Sequence, residues 1–225
     1  MAAPRQKSGE RERIIDAALA LAAEGRWSDI TLGDIATEAG VPLRSVYDHF
    51  GSRSEILAAF FRRIDAEVLS EDEETLGEEE SPRDRLFDVL MRRFEALQPH
   101  RAAVSTIYAD CLCQPTTGLA SLPQLNRSMA WMLTAAGISA EGWSGLLRVQ
   151  GLVTLWLATL RVWLKDESED MSKTMAALDR NLRRAEGVLQ RMPRRRRRRR
   201  AYEMPEEEIT SPQPPTAEPP TGAPA

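Results

Sequence analysis

Between Thr31 and Leu57 the apolar residues fall into two short helical registers joined by a tight turn, and a third helix start follows at once. The turn is Ala39-Gly40-Val41-Pro42, where Gly40 can take the left-handed conformation that ends one helix and Pro42 pre-sets the angle that opens the next. At roughly 100° per residue, Leu43, Val46 and Phe50 share one face of the second helix. Arg44, Ser45 and Asp48 lie opposite, flanked by Tyr47 and His49. Upstream, Ile14, Ile15, Ala18, Leu21 and Ala22 form the apolar stripe of a helix over 11–24 that packs on these two. Thr31 with Asp34, and Ser52 with Glu55, have capping-box spacing, which fixes two helix starts. A steep helix pair with one greasy face and one hydrogen-bonding face is how a helix-turn-helix DNA reader is built.

From Pro82 onward the pattern is helix after helix, predicted near 82–98, 101–113, 121–136, 140–164 and 168–191. Ser81-Pro82-Arg83-Asp84 supplies a cap, a first-position proline and an acid. Gln98-Pro99, Gln114-Pro115-Thr116-Thr117-Gly118, Gly137 and Lys165–Ser168 supply the breaks. No strand pattern competes, so the fold class is all-α: a small N-terminal three-helix bundle followed by a larger C-terminal helical domain. The helix over 140–164 is apolar on nearly every side, from Trp143 and Leu146 to Leu160 and Trp163, and has to be covered all round. In a domain of this size a second copy of the chain makes that easier. Its longest apolar run, Val149–Leu160, lies between Arg148 and Arg161 and is shorter than the about 20 residues of a membrane span, so no stable membrane insertion is expected.

A net charge of −4 over 225 residues would count against nucleic acid if it were evenly spread. It is far from even. Glu71–Glu80 is an acidic cluster, Arg194–Arg200 is seven consecutive arginines, and residues 1–65 hold nine Lys or Arg against ten Asp or Glu. A DNA face must therefore be polarised locally, by Arg5, Lys7, Arg44 and Arg53. Composition divides the chain into a basic arm (1–10), a reader (11–70), an acidic linker (71–81), a helical domain (82–192) and a tail (193–225), Arg-rich then Pro-rich, that reads as disordered. The arginine run could grip DNA or an anionic membrane, pair with the acidic cluster, or do nothing. Cys111 and Cys113, two apart on a helix, point about 200° from each other and cannot bridge, which fits a reduced setting. The N-terminus has no apolar region of the signal-peptide kind. His49 and His100 stand apart, and no nucleophile–base pair, phosphate loop or metal-ligand cluster is present in the sequence, so no catalysis, metal or cofactor is expected.

Taken together, Ile35-Ala36, Ala39-Gly40-Val41, Tyr47, His49-Phe50 and Glu55-Ile56-Leu57 resemble the N-terminal domain of the TetR family of repressors. The resemblance implies a homodimeric, cytoplasmic, bacterial regulator of double-stranded DNA. It would read a pseudo-palindromic operator with two copies of the second helix and be released by a small apolar ligand. Phosphate contacts fall by resemblance on Thr31, Tyr47, His49 and Arg53, while Arg44, Ser45 and Asp48 complete the reading face. Two departures stand out: Pro42 replaces the family's usual Ser or Thr cap, and Asp48 can accept from a cytosine amino group but repels phosphates. The ligand is expected near Tyr108, Met129, Trp131, Met132 and Trp143. The dimer is expected on the last two helices through Leu152, Trp156, Leu160, Trp163, Leu178 and Leu182.

A second segment, Trp163-Leu164-Lys165-Asp166-Glu167-Ser168-Glu169-Asp170 with Thr174 and Leu178-Asp179-Arg180, is similar to the end of the TetR-fold lipid-binding accessory protein of ubiquinone biosynthesis. That resemblance implies an alternative: a lipid-binding protein acting at a membrane without reading DNA. Val46-Tyr47-Asp48-His49-Phe50 separates the two, because a non-reader is expected to have lost it.

Overall fold

The helix that carries Ile14 and Ile15 begins well before its apolar stripe, at Pro4, so the segment expected to be an arm is helical from there on. The computed structural model describes residues 4–70, 81–113 and 115–191, without the side chains of 4–8, 115–121 and 187–191. The acidic cluster and the arginine-rich tail lie outside the described residues, as do the side chains of Arg5 and Lys7.

Among the described residues all regular structure is helical. The order is α1 (Pro4–Glu24), α2 (Leu32–Glu38), α3 (Leu43–His49), α4 (Arg53–Ser70), α5 (Pro82–Leu97), a 3-10 turn (Gln98–His100), α6 (Arg101–Cys113), α7 (Pro115–Ala135), α8 (Gly142–Trp163) and α9 (Ser172–Arg191). The first three close around Ile14, Ile15, Ile35, Val46 and Phe50, all buried. Gly40, at φ +62°, makes the turn between α2 and α3 in the left-handed conformation that its lack of a Cβ allows. Helix α4 leaves this bundle and packs its second half on α5 and α7, and Arg63 ties it back to α1 through Glu12 (3.1 Å) and Asp16 (2.7 Å). The larger domain centres on Phe94 of α5, which stacks on Trp156 at 4.4 Å and meets Trp163 at 5.7 Å. Ser81 caps α5 ahead of Pro82 as its sequence predicts, accepting from the Asp84 N–H at 3.2 Å.

Two expected helix starts are corrected. Helix α7 starts at Pro115, not at 121, so the Pro-Thr-Thr-Gly stretch is helix and Pro123 sits inside it. Helix α9 starts at Ser172, not at 168, because Asp166 folds the preceding residues into a turn. Its carboxylate accepts from the Ser168 N–H (3.1 Å) and hydroxyl and from the Thr174 N–H (2.8 Å) and hydroxyl (2.7 Å). Helix α8 runs for 22 residues and is long and apolar enough to cross a membrane by length and composition, although its uninterrupted apolar run is not. Here it serves as a core helix on one side only. Gly145 permits its close approach to the preceding turn, since a Cβ there would lie 2.1 Å from the Ala140 backbone.

Candidate nucleic-acid interface and ligand cavity

The reader is assembled by local chemistry. Thr31 caps α2, its hydroxyl accepting from the Asp34 N–H (3.1 Å) while Asp34 accepts from the Thr31 N–H (2.8 Å), the reciprocal box that their spacing predicts. The Thr31 hydroxyl also donates to the Asp34 carboxylate at 2.7 Å, and this bond first, with the Thr31 N–H second, holds the Asp34 carboxyl below its usual value. Glu55 departs from the predicted box: Ser52 accepts from the Glu55 N–H at 3.2 Å, but the Glu55 carboxylate takes the Gly51 N–H at 2.8 Å. Helix α3 buries Val46, with Phe50 buried just after it, and turns Arg44, Tyr47 and Asp48 outward, Tyr47 at 72 % exposure. Leu43, expected on the buried face, is the first residue of the helix and is 55 % exposed. Arg44 pairs with Asp48 at 2.9 Å and lies 5.8 Å from the Tyr47 ring centre, so the acid is neutralised by its own helix. Ser45 and His49 are half-buried, and the His49 Nε2 stands 3.9 Å from the Glu10 carboxylate of α1.

Arg53 corrects its assignment as a phosphate contact. Its Nη1 donates to the carbonyls of Trp27 (2.7 Å), Ser28 (2.9 Å) and Ile30, and its guanidinium lies 5.8 Å from the Trp27 ring centre. The side chain is occupied in holding the α1–α2 loop. The same loop is clasped from the other domain by buried Asp110 of α6, which accepts from the Ser28 N–H at 2.7 Å and lies 3.7 Å from Arg26. The reader is thus fastened to α4 and to α6.

Both of those helices line a cavity of about 350 Å³. Ser54, Leu57, Ala58 and Phe61 of α4 form one wall, and α5 to α8 supply the others, mostly aliphatic and aromatic. Of the five residues predicted to hold a ligand only Tyr108 lines it, its hydroxyl accepting from Arg161 Nε at 2.6 Å. Met129 and Met132 are fully buried in the core and do not line the cavity, and Trp131 and Trp143 face outward at 50 % and 76 % exposure. The polar group that sequence reasoning missed is Arg93, buried in the cavity wall and 5.0 Å from the Trp156 ring centre. Its Nη1 donates to Asp65 of α4, which also accepts from Ser128 Oγ of α7 at 2.8 Å. Burial pushes the Arg93 guanidinium below its ordinary value, opposed by the charge and hydrogen bond of Asp65. A signal was available: Arg93 continues the stripe Leu86, Val89, Leu90 and Leu97, and a cation on an apolar stripe needs a buried partner.

The six residues predicted at a dimer interface are also corrected. Leu152, Trp156, Leu160, Trp163, Leu178 and Leu182 are all buried within one chain, and Trp156 and Leu160 line the cavity. Along one side of α8 Trp143, Leu147, Gly151, Thr154 and Ala158 are uncovered, and Leu146, Gln150 and Arg161 are exposed beside them. A Cβ built on Gly151 meets nothing within 4 Å. The residues behind the second resemblance join helices: Trp163 donates to Gln98 (3.0 Å), Asp166 builds the turn before α9, and Asp179 pairs with Arg83 of α5.

Residues 14–60, from α1 to α4, match the family described as "Bacterial regulatory proteins, tetR family". The chain is 28 % identical over 123 residues to the HTH-type transcriptional repressor KstR2 of Mycolicibacterium smegmatis, an alignment covering 55 % of this chain and 58 % of that protein. It therefore spans little more than half the length of that relative. The crystal structure of the TetR transcriptional regulator from Nitrosomonas europaea superposes with a TM-score of 0.63 at 26 % identity, covering 79 % of this chain and 98 % of the other. Thermus thermophilus FadR, a TetR family transcriptional repressor in complex with lauroyl-CoA, shares the fold with a TM-score of 0.53 at 19 % identity, over 77 % of this chain and 91 % of that one.

Proposed function

We propose that the chain, whose residues 14–60 match the TetR family of helix-turn-helix regulators, is a homodimeric, sequence-specific DNA-binding repressor of the bacterial cytoplasm, released from its operator by a small ligand with an apolar body. The observation that carries this reading is α3, a short helix held by Val46 that presents Arg44, Tyr47 and Asp48 to solvent. Tyr47 and His49 contact phosphates, and Thr31, whose hydroxyl donates to Asp34 at 2.7 Å in the free protein, adds a third contact by exchanging that partner for a phosphate oxygen. Arg44, Ser45 and Asp48 read base edges, and exposed Leu43 offers an apolar contact of the kind that suits a thymine methyl. Two copies joined across the uncovered Leu147–Ala158 side of α8 set two readers in successive major grooves, with half-sites roughly 34 Å apart or somewhat more. The cavity shares walls with α4 and α6, the two helices that fasten the reader, so its occupant is placed to favour one reader spacing over another.

Selection of full-length protein on random duplex DNA, at near-physiological salt with Tyr47→Ala beside it, tests this reading. The expected result is an enriched two-fold-symmetric motif that the variant loses. Sequence-independent binding alone would instead favour the lipid-binding alternative.

A further inference from the structure

The cavity wall carries two cations, Arg93 and Arg161, and among its described lining residues no carboxylate. Asp65 stands behind Arg93, so the charges around the space sum to one excess positive. Two buried donors on that wall have no hydrogen-bond partner: Arg93 Nε and Gln124 Nε2. They come from different helices but belong to one place. Gln124 stands one turn before Ser128 on α7, and Ser128 Oγ and Arg93 Nη1 both donate to the same oxygen, Asp65 Oδ1. A buried unpaired donor costs free energy, and two on residues that line a mostly apolar space mark where a ligand's acceptor belongs once those side chains turn toward it.

We infer that the cavity takes an aliphatic monocarboxylate, with its carboxylate on Arg93 Nε and Gln124 Nε2, its chain among Leu57, Ile107 and Leu160, and Arg161 balancing its charge. The inference deepens the proposed ligand response and rests on it. Two donors with no acceptor select an acceptor-only group over a hydroxyl, and the positive excess selects an anion over an amine. The arriving carboxylate also competes with Asp65 for Arg93. Binding thereby loosens a contact that fixes α4 to α5 and α7.

Isothermal titration of the full-length protein with dodecanoate, dodecanol and dodecylamine tests the inference. Dodecanoate should bind at least about tenfold more tightly than dodecanol, as one hydrogen bond to a charged group warrants, and dodecylamine should bind most weakly. Gln124→Leu and Arg161→Ala, which leave the Asp65–Arg93 pair intact, should weaken dodecanoate and leave dodecanol unchanged. Equal binding of the three probes, no binding of dodecanoate, or a Gln124→Leu protein that holds dodecanoate as well as the wild type would each overturn it. Failure here with a two-fold-symmetric operator in hand leaves the regulator reading standing. Dodecanoate binding by a protein that selects no DNA sequence would refute that reading and keep the subsite.

Discussion

Helices α3 and α8 were assigned partners by the same kind of reasoning, and the outcomes differ. On α3 Arg44, Tyr47 and Asp48 face outward as expected, Ser45 and His49 are half-buried, and Leu43 departs on the apolar side. On α8 every residue assigned to a partner subunit is buried in its own chain. Apolar and polar positions alternate with a clear period on α3, and its neighbours are a few residues away in sequence. Helix α8 is apolar almost throughout, so its periodicity cannot say which side meets the core and which is left bare. A periodic pattern tells direction only where polar residues interrupt it.

The contrast can be sharpened by substitutions in each region. Phe94→Ala removes the ring that stacks on Trp156 and should cost about 3–5 kcal/mol of stability in a denaturant titration. Ala158→Arg places a charge on the uncovered side of α8. An unpaired charge buried at an interface costs about 3–5 kcal/mol, so light scattering should report a monomer with unchanged helix content; an unaltered dimer would place the interface elsewhere. Tyr47→Ala should leave the denaturation midpoint unmoved and weaken operator binding by about tenfold or more, the worth of a hydrogen bond to a charged phosphate.

The legible parts of this molecule are those set by near neighbours in sequence. Thr31–Asp34, Gly40 and Ser81–Pro82 each build their predicted structure within four residues. The cavity was not legible, because it joins residues from Ser54 to Arg161 that no spacing rule connects. Aromatic residues misled in particular: Trp131 and Trp143 suggested a pocket and lie on the surface, while Trp156 suggested an interface and lines the cavity. Arg53 misled differently, since an exposed-looking cation at a helix start is consumed by three carbonyls of a loop far upstream.

Smaller effects should follow at two acids. Burial disfavours the charged form of Asp166, yet hydrogen bonds from Ser168 and Thr174 outweigh it and hold the carboxyl well below its ordinary range. A depressed carboxyl contributes stability that is complete above its unfolded value and lost as pH falls below it toward the folded one. Wild-type stability should therefore decline below about pH 4, more steeply than that of Asp166→Asn; parallel curves would mean that the turn does not depend on the charge. Asp48→Asn breaks an exposed pair with Arg44 and should change stability by no more than about 0.5 kcal/mol. Freed of that acid, Arg44 should raise non-specific DNA affinity, measured as a steeper salt dependence.

The central claim is that one chain couples the cavity to the reader. Fluorescence anisotropy of a labelled operator duplex, followed while dodecanoate is titrated into the complex with cavity occupancy known from calorimetry, tests it most directly. The account predicts release of the operator in step with occupancy, through α4 and the Asp110 clasp. Undiminished operator affinity at full occupancy would contradict it.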